Sequence, residues 1–150
     1  MLKTVIIILT HFAFVTNLTA QTDYSKFVKA DKINKAQFDK TSKDTTDSIV
    51  YLGVIKDKDD ATFYHVISNF RVVQAAIQKH GHSEIVFLDK SLKVKRTYEL
   101  GMPDDLPFKL QDNTLYFHYL DNRTKTKKVF TNKISRDLPP LICVSPDDCY

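Results

Sequence analysis

From residue 48 onward the sequence repeats one arrangement: a short run of β-branched and aromatic residues, a cluster of aspartate, asparagine, lysine or glycine, then another such run. Val, Ile, Tyr, Phe and Thr suit a pleated, half-buried surface, while Asp, Asn and Gly reverse a chain at low steric cost. Runs joined by turns this short pair with their immediate neighbours as antiparallel hairpins, because a parallel partner would need a long crossover. Residues 49–56 (IVYLGVIK) read as a buried strand and residues 62–68 (TFYHVIS) as the next, with KDKDD turning between them. Residues 85–88 (IVFL) form another. Residues 92–100 alternate, with Leu92, Val94, Tyr98 and Leu100 on one side and Lys93, Lys95, Thr97 and Glu99 on the other. Such alternation marks a strand with one face in water. Pro107 places LPFKL at a sheet edge. TLYFHYL (114–120) and TKKVFT (126–131) complete the series.

The expected fold is α+β, mainly an antiparallel β meander, sandwich-like or a curved sheet, with one or two short helices; an all-β domain is the alternative. The helix is expected at residues 69–81 (NFRVVQAAIQKHG), where Phe70, Val73 and Ile77 recur at helical spacing. Asn69 would cap its start, Lys79 and His80 would sit in its last turn, and Gly81 would take the left-handed position after it. The paired Val72 and Val73 support the competing reading, a hairpin arm that turns at KHGHS.

The first 20 residues carry Lys3, an apolar run through Val15 and a small residue, Ala20, before Gln21. That is the layout of a secretory signal peptide cleaved after Ala20, so the mature chain is expected to be secreted or periplasmic. No cysteine stands at the cleavage point to carry a lipid anchor, and no later stretch is long and apolar enough to cross a membrane. Residues 21–47 read as a polar lead, with room for a short helix, docked through Phe27, Ile33 and Phe38. Residues 48–150 then form a single β-rich domain that ends in a cysteine loop. Cys143 and Cys149 flank Pro146, Asp147 and Asp148, and turn chemistry between two cysteines in an exported chain implies a disulfide.

The formal charge is +4, of which Lys3 supplies one, leaving +3 for the mature chain. So mild a balance does not call for nucleic acid as a partner. Two clusters are nonetheless basic. Lys93 and Lys95 lie in one, Lys125 and Lys127 in the other, and if their hairpins are neighbours they form a polyanion or acidic-glycan site near Tyr116 and Tyr119. The plainer role for such lysines is to keep strand edges soluble and unpaired.

Histidines supply the sharpest chemistry. His80 and His82 flank Gly81 and are the metal candidates, with His65 or His118 as a third ligand. His65 and His118 are likewise the candidates for acid and base in a hydrolytic site. Opposing this, no H-E-x-x-H, G-x-S-x-G or glycine-rich phosphate loop occurs, and the chain holds only three glycines. The favoured reading is an exported, non-enzymatic binding or interaction module, without cofactor, for an unknown protein or glycan ligand. The alternative is a small secreted hydrolase, with or without metal, using His80 and His82 with His65 or His118.

Overall fold

The computed structural model describes residues 22–150, so the expected leader lies outside the described residues. Five strands, β1 (Ala36–Ser42), β2 (Thr45–Lys56), β3 (Thr62–Ala75), β4 (Gln78–Asp89) and β5 (Val94–Leu100), form one open antiparallel meander in chain order. A second sheet holds β6 (Lys109–Gln111), β7 (Thr114–Asp121) and β8 (Thr126–Lys133). A ribbon of β9 (Cys143–Ser145) and β10 (Asp148–Cys149) follows. The single α-helix among the described residues, α1 (Ser25–Lys29), is five residues long. The fold is therefore mostly antiparallel β, which fits the all-β alternative; one short helix makes α+β only a loose description. No described helix is long and apolar enough to cross a membrane.

The main core lies between the sheets. Leu52, Ile55, Tyr64, Val66, Ile85, Phe87, Tyr98 and Leu100 from the five-stranded sheet meet Leu115 and Phe117 from β7, joined by Ile134, Ile142 and Val144. Phe87 sits edge-on to Tyr64 and to Tyr98, with ring centres 6.1 and 5.7 Å apart. The opposite face of the large sheet buries Ile49, Tyr51, Ile67, Val86 and Leu88 beneath Tyr24, Phe27 and Val28 of the α1 segment. Burial on both faces explains why β2 reads as a continuous apolar run rather than an alternation. Within it Gly53 takes φ 127°, at the point where the β2–β3 register shifts between Tyr51 and Gly53. A side chain would strain that backbone, which is why the bulge carries glycine.

Residues 69–81 do not form the expected helix. They are the outer halves of β3 and β4, paired without interruption from Asn69↔Glu84 to Ala75↔Gln78. The chain reverses at Ala76–Ile77, with Ala76 at φ 49°, rather than at KHGHS. Gly81 is therefore not a helix-ending residue and His80 does not close a helix. A Cβ on Gly81 would lie 2.8 Å from the Phe70 ring, so the glycine makes room for a cross-strand aromatic. Extension of two strands already paired gives this segment a continuous β3–β4 ladder, with residues 78–82 as a sheet edge beyond the reach of β5, whereas a helix there would have to dock anew.

The stretch read as a loose lead is likewise structured from Thr22 onward, since it forms α1 and then β1, which pairs with β2. Phe27 is buried as expected, but Phe38 is 76% exposed and Ile33 48% exposed, so neither docks the segment. At the other end Cys143 and Cys149 are disulfide-bonded. Outside the bond, Ile142 and Tyr150 exchange backbone hydrogen bonds of 2.8 and 2.9 Å. The Tyr150 hydroxyl donates to Asp105 at 3.0 Å; burial and that carboxylate push its phenol up to about 12. The disulfide ties down little chain, so replacing both cysteines by serine is expected to cost about 2 kcal/mol by loop-closure entropy. A fall in the urea midpoint at unchanged m-value would show it; an unchanged midpoint would mean that β9–β10 holds without the bond.

Candidate binding face

The site follows from the parity of one strand. Leu115 and Phe117 of β7 are fully buried in the core, so Tyr116, His118 and Leu120 must point the other way. The register sets Lys109 and Thr131 beside Tyr116, Val129 beside His118 and Lys127 beside Leu120. Phe108, just after the buried Pro107, donates its backbone N–H to the Tyr116 carbonyl at 3.0 Å. Its ring stacks on the His118 imidazole, with centres 4.0 Å apart and planes within 8°. Lys109 Nζ lies 5.5 Å from the centre of the Tyr116 ring. Phe108, Leu120 and Val129 remain 42%, 57% and 51% exposed, so this aromatic strip faces water.

A groove of about 1040 Å³ opens at the end of the strip. It runs between the Pro103–Asp105 3-10 turn, the β7–β8 turn and the cysteine loop, and is lined by Met102, Leu106, His118, Leu120 and Val144. The exposed Asp104 and Asp147 also line it, as do Arg123 and Lys127. Asp121, at the mouth, is already engaged: the Lys128 ammonium and the N–H groups of Arg123 and Thr124 hold its carboxyl at about 2. That cluster fixes the β7–β8 turn and leaves the strip as the open surface.

The most heavily bonded polar cluster lies elsewhere, on the α1 side of the large sheet. Asp47 is completely buried, and Arg71 Nε donates to it at 2.7 Å. Arg71 Nη2 donates to Thr22 Oγ1 at 2.7 Å, and Thr22 and Thr41 both donate to Asp47. Asn69 Nδ2 faces oxygens of Glu84, Tyr24 and Asp47 at 2.8, 3.0 and 3.2 Å, and the Tyr24 hydroxyl donates to Glu84 at 2.5 Å. Burial by itself would raise the Asp47 carboxyl, but hydrogen bonds from Thr41, Arg71 and Asn69, with the Arg71 charge, hold it below its ordinary value. Burial and the Glu84 carboxylate push the Tyr24 phenol well above its usual range. A neighbouring cavity of about 550 Å³ reaches Thr22 and Tyr24 but neither Asp47 nor Asn69. Enclosed and, apart from the unpartnered Asn69 Oδ1, internally hydrogen-bonded, the cluster fastens the α1 segment to the sheet.

The histidines do not converge. His80 and His82 are exposed on one face of the outer β4 arm, where the extended chain aligns them. His65 pairs with Leu88, six residues along β4 from His82, hence roughly 20 Å away at strand rise. Its Nδ1 lies 2.9 Å from the Tyr51 hydroxyl, and burial lowers its pKa. His118 belongs to the other sheet, under Phe108. Among the described residues no group of three His, Cys, Asp or Glu side chains is placed to hold a metal. The candidate lysines are divided too. Lys93 lines the cavity beside Tyr24 and Lys95 lies on β5, whereas Lys125 sits in the β7–β8 turn and Lys127 alone of the four stands on the aromatic face. Phe108, Lys109 and Lys133 join that face only through strand register and a proline-led approach that no local pattern announces.

Comparison with known protein families, with curated proteins and with solved structures finds no match to this chain.

Proposed function

We propose that the chain is an exported, non-enzymatic binding module that holds an extended ligand on the outer face of β6–β8. The carrying observation is the Phe108–His118 stack beside Tyr116, Leu120 and Val129, a row of apolar surface kept in water by the parity of β7. Exposed aromatics held rigidly by sheet pairing lose little conformational freedom when a ligand covers them, which suits recognition. Export is supported by the leader-like N-terminus and the disulfide. The dispersal of the four described histidines favours this reading over the small secreted hydrolase that is its alternative.

The test is retention on an array of immobilised neutral and acidic polysaccharides, with release of reducing ends followed in the same wells. Retention by at least one glycan, lost in a Phe108→Ala/Tyr116→Ala variant that unfolds at the wild-type urea midpoint, is the expected result. Retention indifferent to that variant, or reducing ends that appear with wild type and vanish with His118→Ala, would overturn it.

A further inference from the structure

Resting on that binding reading, we infer that the ligand is an anionic glycan, whose sugar rings lie on the aromatic strip while its carboxylates or sulfates meet the lysines at its margins. The charges on this face are of one sign. Strand register puts Lys109 beside Tyr116 on β6, Lys127 beside Leu120 and Lys133 beside Thr114, and all three are exposed. Among the described residues no carboxylate occupies a strand position of the same face: Asp121 belongs to the opposite parity and is paired with Lys128. Lys127 and Lys133 are six residues apart on β8, roughly 20 Å, with Thr131 and Val129 between them and Tyr116 and His118 alongside. Lys109 is two strands over, roughly 10 Å from β8. The lysines thus bracket an apolar middle instead of forming a continuous basic track.

That spacing distinguishes the ligand. A nucleic acid presents phosphates at every step and is met by closely spaced cations and freely accessible aromatic faces. Here the cations are few, and one face of the Phe108 ring is already covered by His118. A pyranose needs only a single ring face for its C–H groups, and its acidic substituents project sideways, where the lysines stand. The groove shares His118, Leu120 and Lys127 with the strip, and beyond them Asp104, Asp105, Asp147 and Asp148 outnumber Arg123 in its lining, which favours a chain that stays on the strip.

The experiment compares polygalacturonate with its fully methyl-esterified form, an uncharged ligand on the same backbone, and with single-stranded oligo(dT), by affinity electrophoresis of the mature chain. Polygalacturonate is expected to retard the protein at least tenfold more strongly than the ester. Its apparent affinity should fall roughly tenfold or more as salt rises from about 50 to about 200 mM, as for three released counterions. A Lys109→Gln/Lys127→Gln/Lys133→Gln variant, its fold checked by the urea midpoint, should lose that difference. Equal retardation by acid and ester, unaffected by the lysine variant but abolished by Phe108→Ala/Tyr116→Ala, would overturn the anionic ligand and leave the binding face standing. Tighter binding of oligo(dT) would overturn the glycan. Retardation by none of the three would overturn the inference, and an array that likewise retains nothing would remove the binding reading with it.

Discussion

Arg71→Ala is expected to lower the unfolding free energy by about 3 kcal/mol and to reverse the protein's response to acid. Asp47 is fully buried, and removing one partner of a buried pair leaves an uncompensated charge that typically costs ~3–5 kcal/mol. Arg71 is itself 30% exposed, which sets the loss near the lower end. The sign of the acid response follows from the direction of the Asp47 shift. In the wild type its folded pKa lies below the ordinary carboxyl value of 3.8, so its stabilisation is present above that value and is lost as pH falls through the folded pKa. Once the guanidinium is gone, Thr41 and Asn69 still lower the carboxyl pKa, but burial, the largest single influence, is expected to outweigh them and raise it above its unfolded value. Ionised Asp47 then destabilises the variant near neutrality, and protonation relieves it. Urea unfolding at about pH 7 and about pH 4.5 should show the variant gaining stability on acidification while the wild type holds level. Asp47→Asn in the Arg71→Ala background should abolish that gain and recover part of the loss, the non-additivity expected of direct partners. Parallel pH profiles for wild type and Arg71→Ala would refute the buried-pair account. Because Arg71 also holds Thr22, the variant should in addition be cleaved faster by trypsin at Lys26 and Lys29.

The strands that were legible in the sequence are those whose turns are made locally. KDKDD ends β2 because Asp57 Oδ1 accepts from the N–H groups of Asp59 and Ala61, and Asp89 closes the β4–β5 turn through Ser91 and Lys93 in the same way. Both devices span a few residues and show in composition. The outer β3–β4 arm defies local pattern because its deciding contacts are far apart in the chain. Phe70, Val73 and Ile77 match helical spacing, but Ile77 is 97% exposed at the hairpin tip and Phe70 is placed by Gly81 across the ladder. Asn69, read as a helix cap, is instead buried among Tyr24, Asp47 and Glu84. β1 left no apolar signal because an edge strand has little to bury, and its burial simply alternates exposed with intermediate. The candidate face was half visible: TLYFHYL is apolar at both parities, more than a strand covered on one side requires. Which parity is the surplus depends on how β7 lies against the large sheet, and only the fold decides that.

Two neighbouring aromatics of β7 should therefore separate stability from binding. Phe117→Ala is expected to cost about 4 kcal/mol, the usual loss for a fully buried phenylalanine whose surroundings relax only in part. Leu115 and Phe117 are the β7 side chains that anchor the small sheet in the main core, so amide exchange should accelerate most across β6–β8. Tyr116→Ala, one residue away, removes a half-exposed ring from the other face and is expected to change stability by no more than about 1 kcal/mol. Its effect should fall on the ligand instead, weakening polygalacturonate retardation at least tenfold, whereas the folded fraction of Phe117→Ala should bind nearly as wild type. Equal destabilisation by the two substitutions would mean that β7 does not present Tyr116 outward. The strip formed with His118 and Leu120 would then not exist as a face, and the proposed site would fall with it.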